Sequence, residues 1–280
     1  MNIKNIGFFG DSGSFTEQAA KKHFSDKNIF LPFNSVNSLL QALLDKKIQI
    51  AVLPFENSTE GVVTPTIDAL LRKENGFAIV GEIVLPVEHY LIGVGKIDEI
   101  KKVISHPQAI EQCDAYLQTI NAERENFAST SAAVKKAAEE NNPKIAAVGS
   151  LKAFEFYKSQ NSNLKILAKK IQTEESNKTR FIILGFEKPK PTNKDKTSLF
   201  FTTKNRPLAL VLALLSFGLL GINMTHIESR PSKKKLGEYV FFAEVEGNQE
   251  SLKMKLALKL LKISATLKIL GSYPNVGGEV

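Results

Sequence analysis

Residues 3–24 read IKNIGFFGDSGSFTEQAAKKHF. A strand-like segment, Ile3–Phe9, gives way to a small polar turn and then to a helix-like segment, Phe15–Phe24. Strand, glycine-containing turn and helix in that order open an α/β unit. The alternation continues with a helix over Val36–Leu44, a strand at Ile50–Leu53 and a helix at Thr66–Leu71. A long extended run (Phe77–Val94), a short strand (Val103–Ser105), helices at Gln108–Leu117, Ser129–Glu140 and Leu151–Tyr157, and a closing strand (Thr179–Leu184) follow. The first 187 residues therefore predict an α/β region with mainly parallel strands.

Between Glu187 and Lys196 the chain reads EKPKPTNKDK, without apolar periodicity, which predicts a linker over 188–196. Beyond it the order is strand (Ser198–Thr203), helix (Leu208–Phe217), strand (Met224–Ser229), strand (Glu238–Glu246), helix (Glu250–Ile263) and strand (Leu267–Ser272). That βαββαβ sequence is the α+β ferredoxin-like plan, over 197–280. Ser232-Lys233-Lys234-Lys235 falls at its central hairpin and reads as a solvated tip.

A length of 280 residues leaves room for two or three folding units, and 43% hydrophobic with 24% charged residues is an ordinary globular composition. The formal charge of +8 is spread along the chain, which suits a small anionic substrate and does not mark a nucleic-acid groove. Cys113 is the sole cysteine, which excludes an intrachain disulfide and any multi-cysteine metal site. His23, His89 and His226 show no metal-ligand spacing, so no metal is expected. The N-terminus carries no signal-peptide pattern, which predicts a cytoplasmic protein. Leu208–Ile222 is too short to span a bilayer, and the leucines of Leu252–Ile263 read as a stripe covering a sheet, so no membrane partner is predicted.

Four segments carry chemistry. Gly10–Glu17 follows a strand and opens a helix, so Ser12, Gly13 and Ser14 either cradle an anion or build an ordinary capped helix start. Glu56, Asn57 and Ser58 leave the C-terminal end of a strand, where open α/β sheets bind ligands, although Asn and Ser also serve turns. Ser105-His106-Pro107-Gln108 precedes Gln112-Cys113; the helix between separates the thiol from His106 by more than a turn, which makes Cys113 structural. Asn177-Lys178-Thr179-Arg180-Phe181 offers a hydroxyl and a guanidinium suited to a carboxylate.

Taken in order, these blocks resemble the prephenate dehydratase family, with matches at Gly10–Glu17, Glu56–Gly61, Ser105–Cys113, Thr130–Ala133 and Asn177–Phe181. The tail is similar to the family's ACT regulatory domain, through Glu228-Ser229-Arg230-Pro231 and the Tyr239–Phe242 strand. The resemblance implies two α/β lobes like a type II periplasmic binding protein, about 1–82 with 170–187 and 83–169, crossed near Val80–Pro86 and Leu167–Ile171. It implies decarboxylative dehydration of prephenate to phenylpyruvate without a cofactor, with Thr179 as hydrogen-bond donor ordered by Glu56 and Asn57. Substrate contacts implied are Ser12, Gly13, Ser14, Ser58, Ser105, His106, Gln108, Thr130, Ser131, Arg180 and Phe181. Phenylalanine is the implied effector, at Leu208, Ala209, Leu210, Asn223, Glu228, Ser229 and Arg230, and the chain is expected to form a homodimer or homotetramer.

Two positions depart from the family. Asp11 stands where proline is usual, and Leu208 stands where the Pro-Gly-Ala-Leu block has glycine, so its side chain is expected to fill part of the effector pocket. Arogenate dehydratase and a non-catalytic amino-acid sensor are the rival readings.

Overall fold

The structure, a computed structural model, describes residues 4–72, 76–174, 176–232 and 238–276. Lys233, Lys234 and Lys235 of the expected hairpin tip lie outside the described residues. Two compact units divide the chain: Met1–Val63 with Val84–Phe181, and Thr64–Ile83 with Ile182–Val280.

The chain begins with β1 (Asn5–Phe9), α1 (Phe15–His23), β2 (Ile29–Phe33), α2 (Val36–Leu44), β3 (Ile50–Asn57), β4 (Gly61–Val62), α3 (Thr64–Arg72) and β5 (Ala78–Pro86). It continues through β6 (Tyr90–Gly93), β7 (Lys102–Ser105), α4 (Pro107–Gln112), α5 (Asp114–Leu117), β8 (Glu123–Asn126), α6 (Thr130–Glu140), β9 (Ile145–Gly149), α7 (Leu151–Lys158), β10 (Lys165–Ala168) and β11 (Lys178–Gly185). One sheet runs β2-β1-β3-β11-β5, with β4 on β3, and a second runs β10-β6-β9-β7-β8. The β1 strand is parallel to both neighbours, pairing Gly7 with Leu31 and with Ala51. The second sheet is mixed, because β6 is antiparallel to β9 and β10 while β7 is parallel to β8 and β9. Separate apolar clusters, one around Val134, Ala147 and Leu164 and one around Val103, Ala146 and Val148, pack its two faces.

Serine side chains set most of the helix starts. Ser14, Ser35, Ser129 and Ser150 each accept a backbone N–H from the first turn of α1, α2, α6 and α7. The expected single helix over Gln108–Leu117 is instead α4 and α5, broken at Cys113, whose φ −107° and ψ 10° leave the helical range. The extended run Phe77–Val94 is likewise split at Val87–His89 into β5 and β6.

The C-terminal chain forms β12 (Asp195–Thr203), α8 (Ala209–Gly218), β13 (Met224–Pro231), β14 (Tyr239–Glu246), α9 (Leu252–Ser264) and β15 (Ala265–Pro274). The antiparallel sheet β13-β14-β12-β15 has the strand order of a ferredoxin-like fold. Leu199, Phe201, Ala243 and Val245 meet Ala213 and Phe217 of α8 and Met254, Ala257, Leu258 and Leu261 of α9 in one core. This unit also takes in Thr64–Ile83, an allotment different from a cut at 188–196, and its polar contacts explain why. Arg230 pairs with Asp68 at 3.3 Å, Lys268 Nζ donates to the Leu70 carbonyl at 3.1 Å, and Lys196 pairs with Glu82 at 2.6 Å. Among the described residues no helix is long and apolar enough to cross a membrane.

Candidate active site

The end of β3, the start of β11 and the first turns of α4 and α6 converge on a cavity of about 240 Å³. Its lining includes Asn57, Val87, His89, His106, Gln108, Gln112, Ser129, Thr130 and Thr179, between walls from Phe9 and Phe15.

A directed hydrogen-bond network organises this cavity. The backbone N–H groups of Thr59 and Glu60 both donate to Asn57 Oδ1, at 3.1 and 3.3 Å, which fixes the amide's orientation. Asn57 Nδ2 then donates to Asn177 Oδ1 at 2.8 Å and to Thr179 Oγ1 at 2.9 Å. Because Thr179 Oγ1 accepts from Asn57, its own proton is free to be donated into the cavity. Asn57 is only 6% exposed and its bond to Asn177 is buried, where a hydrogen bond is worth more than in water. Asn177 Nδ2 continues the chain to Gln112 Oε1 at 3.0 Å, and Gln112 Nε2 donates to Glu60 Oε1 at 3.0 Å. His89 Nε2 lies 3.0 Å from the same Gln112 oxygen.

The electropositive side of the site is the N-terminus of α6. Thr130 opens this helix of 11 residues and lines the cavity with its cap Ser129, so the positive end of the helix dipole faces the space. Among the described residues the lining holds no lysine or arginine. Cys113 is fully buried and burial pushes its thiol up to about 12, which leaves it protonated and inert. No group of three or more His, Cys, Asp or Glu able to hold a metal occurs among the described residues.

The family profile for prephenate dehydratase matches residues 6–189. The chain belongs to the prephenate dehydratase family. The prephenate dehydratase of Methanocaldococcus jannaschii is 38% identical over 269 residues, covering 94% of this chain and 95% of its own. The solved prephenate dehydratase of Arthrobacter aurescens in complex with L-Phe superposes with a TM-score of 0.88 at 28% identity, over 97% of this chain and 90% of that one. A quorum-quenching acylase, GqqA, has the same TM-score at 29% identity, over 98% and 99%.

Of the residues that the dehydratase resemblance assigned, Asn57, His106, Gln108, Thr130 and Thr179 come together at the cavity. Others are used elsewhere. Gly10–Glu17 is a capped helix start: Gly13 N–H donates to Glu17 Oε2 at 2.6 Å, Ser14 Oγ accepts from Glu17 N–H, and the Ser12 and Gly13 carbonyls accept from Ser131 and Ser150. These bonds tie the segment to α6 and α7 and leave Ser12, Gly13, Ser14 and Ser131 outside the lining. Ser105 Oγ is buried on the Val148 carbonyl, and Phe181 is a core residue at 1% exposure. Ser58 Oγ accepts the Lys178 N–H at 2.9 Å, locking β3 to β11. Glu56 Oε2 takes Arg180 Nε and Nη2 at 3.1 and 2.7 Å while the guanidinium lies 4.7 Å over the Phe55 ring. Arg180 is thus engaged by a carboxylate of the protein itself, at a position assigned to anchoring the substrate's.

The assigned effector residues are divided by the C-terminal sheet. Ser229 pairs with Phe241, which packs on the helix side, whereas Glu228 pairs with Phe242, whose ring meets His226 edge-on. Arg230 reaches Asp68 of α3, and Asn223 donates to Glu246 at 3.2 Å. Ala209 is buried at the start of α8 and Leu210 packs on the core. Leu208 adopts φ +65° as the N-cap of α8 and is 69% exposed, so it does not bury its side chain in a pocket of its own unit. That left-handed conformation is the physical reason a glycine suits this position.

His89 is the cavity residue that sequence reasoning passed over as a non-ligand. Its signal was a histidine inside the mostly apolar extended run Phe77–Val94.

Proposed function

We propose that this chain converts prephenate to phenylpyruvate, carbon dioxide and water, with Thr179 as the donor to the departing oxygen. The observation that carries the reading is the 2.9 Å bond from Asn57 Nδ2 to Thr179 Oγ1, which turns the threonine proton toward the cavity. Loss of the ring carboxylate sends its bonding pair into the ring as the C–O bond breaks, and an aromatic ring results. The departing hydroxide gains its second proton through the Thr179 hydroxyl, replenished from solvent. A preorganised donor at the atom where negative charge develops acts mainly on kcat. Thr130 and the α6 N-terminus receive a carboxylate, while Gln108 and His106 supply hydrogen-bonding groups.

The same geometry argues against acyl transfer. An attacking threonine needs a base to take its proton. Among the described residues Thr179 Oγ1 is met by an amide N–H, a donor.

Phenylalanine regulation is part of the proposal and is supported by the L-Phe complex of the Arthrobacter relative and by the ferredoxin-like C-terminal fold. Homo-oligomer formation is supported by an apolar stripe on the outer face of α8. Leu208, Val211, Leu212, Leu215 and Leu219 are each between 42% and 74% exposed, on one helical face. The test is phenylpyruvate formation followed by absorbance, on prephenate and on arogenate, with and without L-phenylalanine. Turnover of prephenate with the higher kcat/KM confirms the reading; preference for arogenate reassigns the substrate; no turnover of either leaves the sensor reading.

A further inference from the structure

His89 is 3% exposed at the junction of β5 and β6 and lines the cavity opposite Phe15, whose ring stands edge-on to the imidazole at a centroid distance of 5.7 Å. Its tautomer follows from the network. Asn57 is fixed by two backbone N–H donors, Asn177 by Asn57, and Gln112 by Asn177 and by the Glu60 carboxylate. Gln112 Oε1 is therefore an acceptor, and His89 Nε2, 3.0 Å away, must carry the ring proton. Nδ1 is left as a lone pair. It is buried and has no hydrogen-bond partner in the protein. Buried polar atoms without partners are uncommon in folded proteins, and one beside a ligand cavity calls for a ligand group.

Prephenate at neutral pH has two carboxylates and a ketone, all acceptors, and a single donor, its ring hydroxyl. An acceptor-only nitrogen thus has one substrate group to meet. We propose that His89 is a substrate-binding residue whose Nδ1 accepts the hydrogen bond of the prephenate ring hydroxyl, while Thr179 donates to the oxygen of that same hydroxyl. His89 takes no proton at any step; by holding the hydroxyl hydrogen it turns an oxygen lone pair toward Thr179 before the C–O bond breaks. This inference rests on the prephenate reading.

The discriminating variants are His89→Gln, whose amide nitrogen replaces Nε2 and still donates to Gln112, and His89→Asn, whose amide oxygen falls near the Nδ1 position. Each is compared with wild type for Tm, for kcat/KM on prephenate, and for competitive inhibition by phenylpyruvate, which lacks the ring hydroxyl. H89Q is expected to fold, to lose about 10- to 100-fold in kcat/KM, and to keep the wild-type inhibition constant for phenylpyruvate; H89N is expected to exceed H89Q in kcat/KM. Near-wild-type kcat/KM in H89Q overturns the proposal, as does an equal loss toward prephenate and phenylpyruvate, which marks a purely structural role. If H89Q does not fold, H89N activity no better than that of His89→Phe overturns it. Wild-type protein inert toward prephenate fails the activity reading itself, a result visible before any His89 variant is compared.

Discussion

Replacing Asn57 by aspartate is an isosteric change that reverses one end of the active-site network. Asn57 Oδ1 would still accept from Thr59 and Glu60, but the atom facing Asn177 Oδ1 and Thr179 Oγ1, now at 2.8 and 2.9 Å from an N–H donor, becomes a carboxylate oxygen. The nearest proton able to satisfy that oxygen belongs to Thr179, so the hydroxyl turns away from the cavity and toward residue 57. Loss of one transition-state donor costs about 10²–10³ in kcat, equivalent to about 2.7–4 kcal/mol. Asn177 Oδ1 keeps the weaker Ser58 Oγ contact at 3.4 Å, but a carboxylate set against it removes a buried hydrogen bond worth about 1–3 kcal/mol. Asn57→Asp should therefore lower kcat for prephenate by about 10²–10³ with a change in KM under about threefold, and should lower Tm by several degrees. Steady-state kinetics and thermal unfolding on the purified variant measure both. In a Thr179→Ala background the same change should cost little more, because both act through one proton. A kcat within about threefold of wild type, with Tm lowered as expected, would refute the claim that Asn57 directs the Thr179 hydroxyl.

Leu208→Gly relieves a non-glycine residue at φ +65° and removes an exposed side chain, so it should raise stability by about 1 kcal/mol in thermal or urea unfolding; a loss would show that Leu208 makes a contact worth more than the strain. Lys196 is 6% exposed by side chain and lies 2.6 Å from Glu82 and 3.4 Å from Glu244. Lys196→Met removes the buried positive charge that faces two buried carboxylates and should cost about 3–5 kcal/mol, while a variant of near-wild-type Tm would contradict the pairing. Burial pushes the imidazoles of His89 and His23 below their ordinary value of 6.5. Between that value and the lower folded one the unfolded chain binds more protons, so stability present above pH 6.5 falls as pH falls through this window; H89Q should flatten the dependence of Tm on pH, and an unchanged slope would count against a buried neutral His89.

The first strand and helix were legible because Ile6–Phe9 is a short apolar run followed by a glycine-containing turn, and Ser14 and Glu17 stand at capping-box spacing. The acidic residue which that spacing places reaches back to the Gly13 N–H, so this donor of the segment is met from within the protein. The β2 strand passed unnoticed because Pro32 interrupts IFLPF, and a proline is tolerated there only because β2 lies at the sheet edge. The break at Cys113 left no mark in the pattern, since α4 and α5 keep their apolar residues in step across it. Thr179 and Asn57 were found through family likeness, but the Glu56–Arg180 pair was not, because β3 and β11 are over a hundred residues apart and only their pairing brings carboxylate and guanidinium together. His89 is conspicuous only once its orphan nitrogen is placed beside the cavity.

The central claim, that Thr179 donates to the departing oxygen of prephenate, is tested most directly by kcat for phenylpyruvate formation in Thr179→Ala and Thr179→Ser. The account predicts a drop of about 10²–10³ for alanine, with KM little changed, and recovery to within about tenfold of wild type for serine, which restores the hydroxyl. An alanine variant within about threefold of wild type, or a serine variant as slow as alanine, would contradict it.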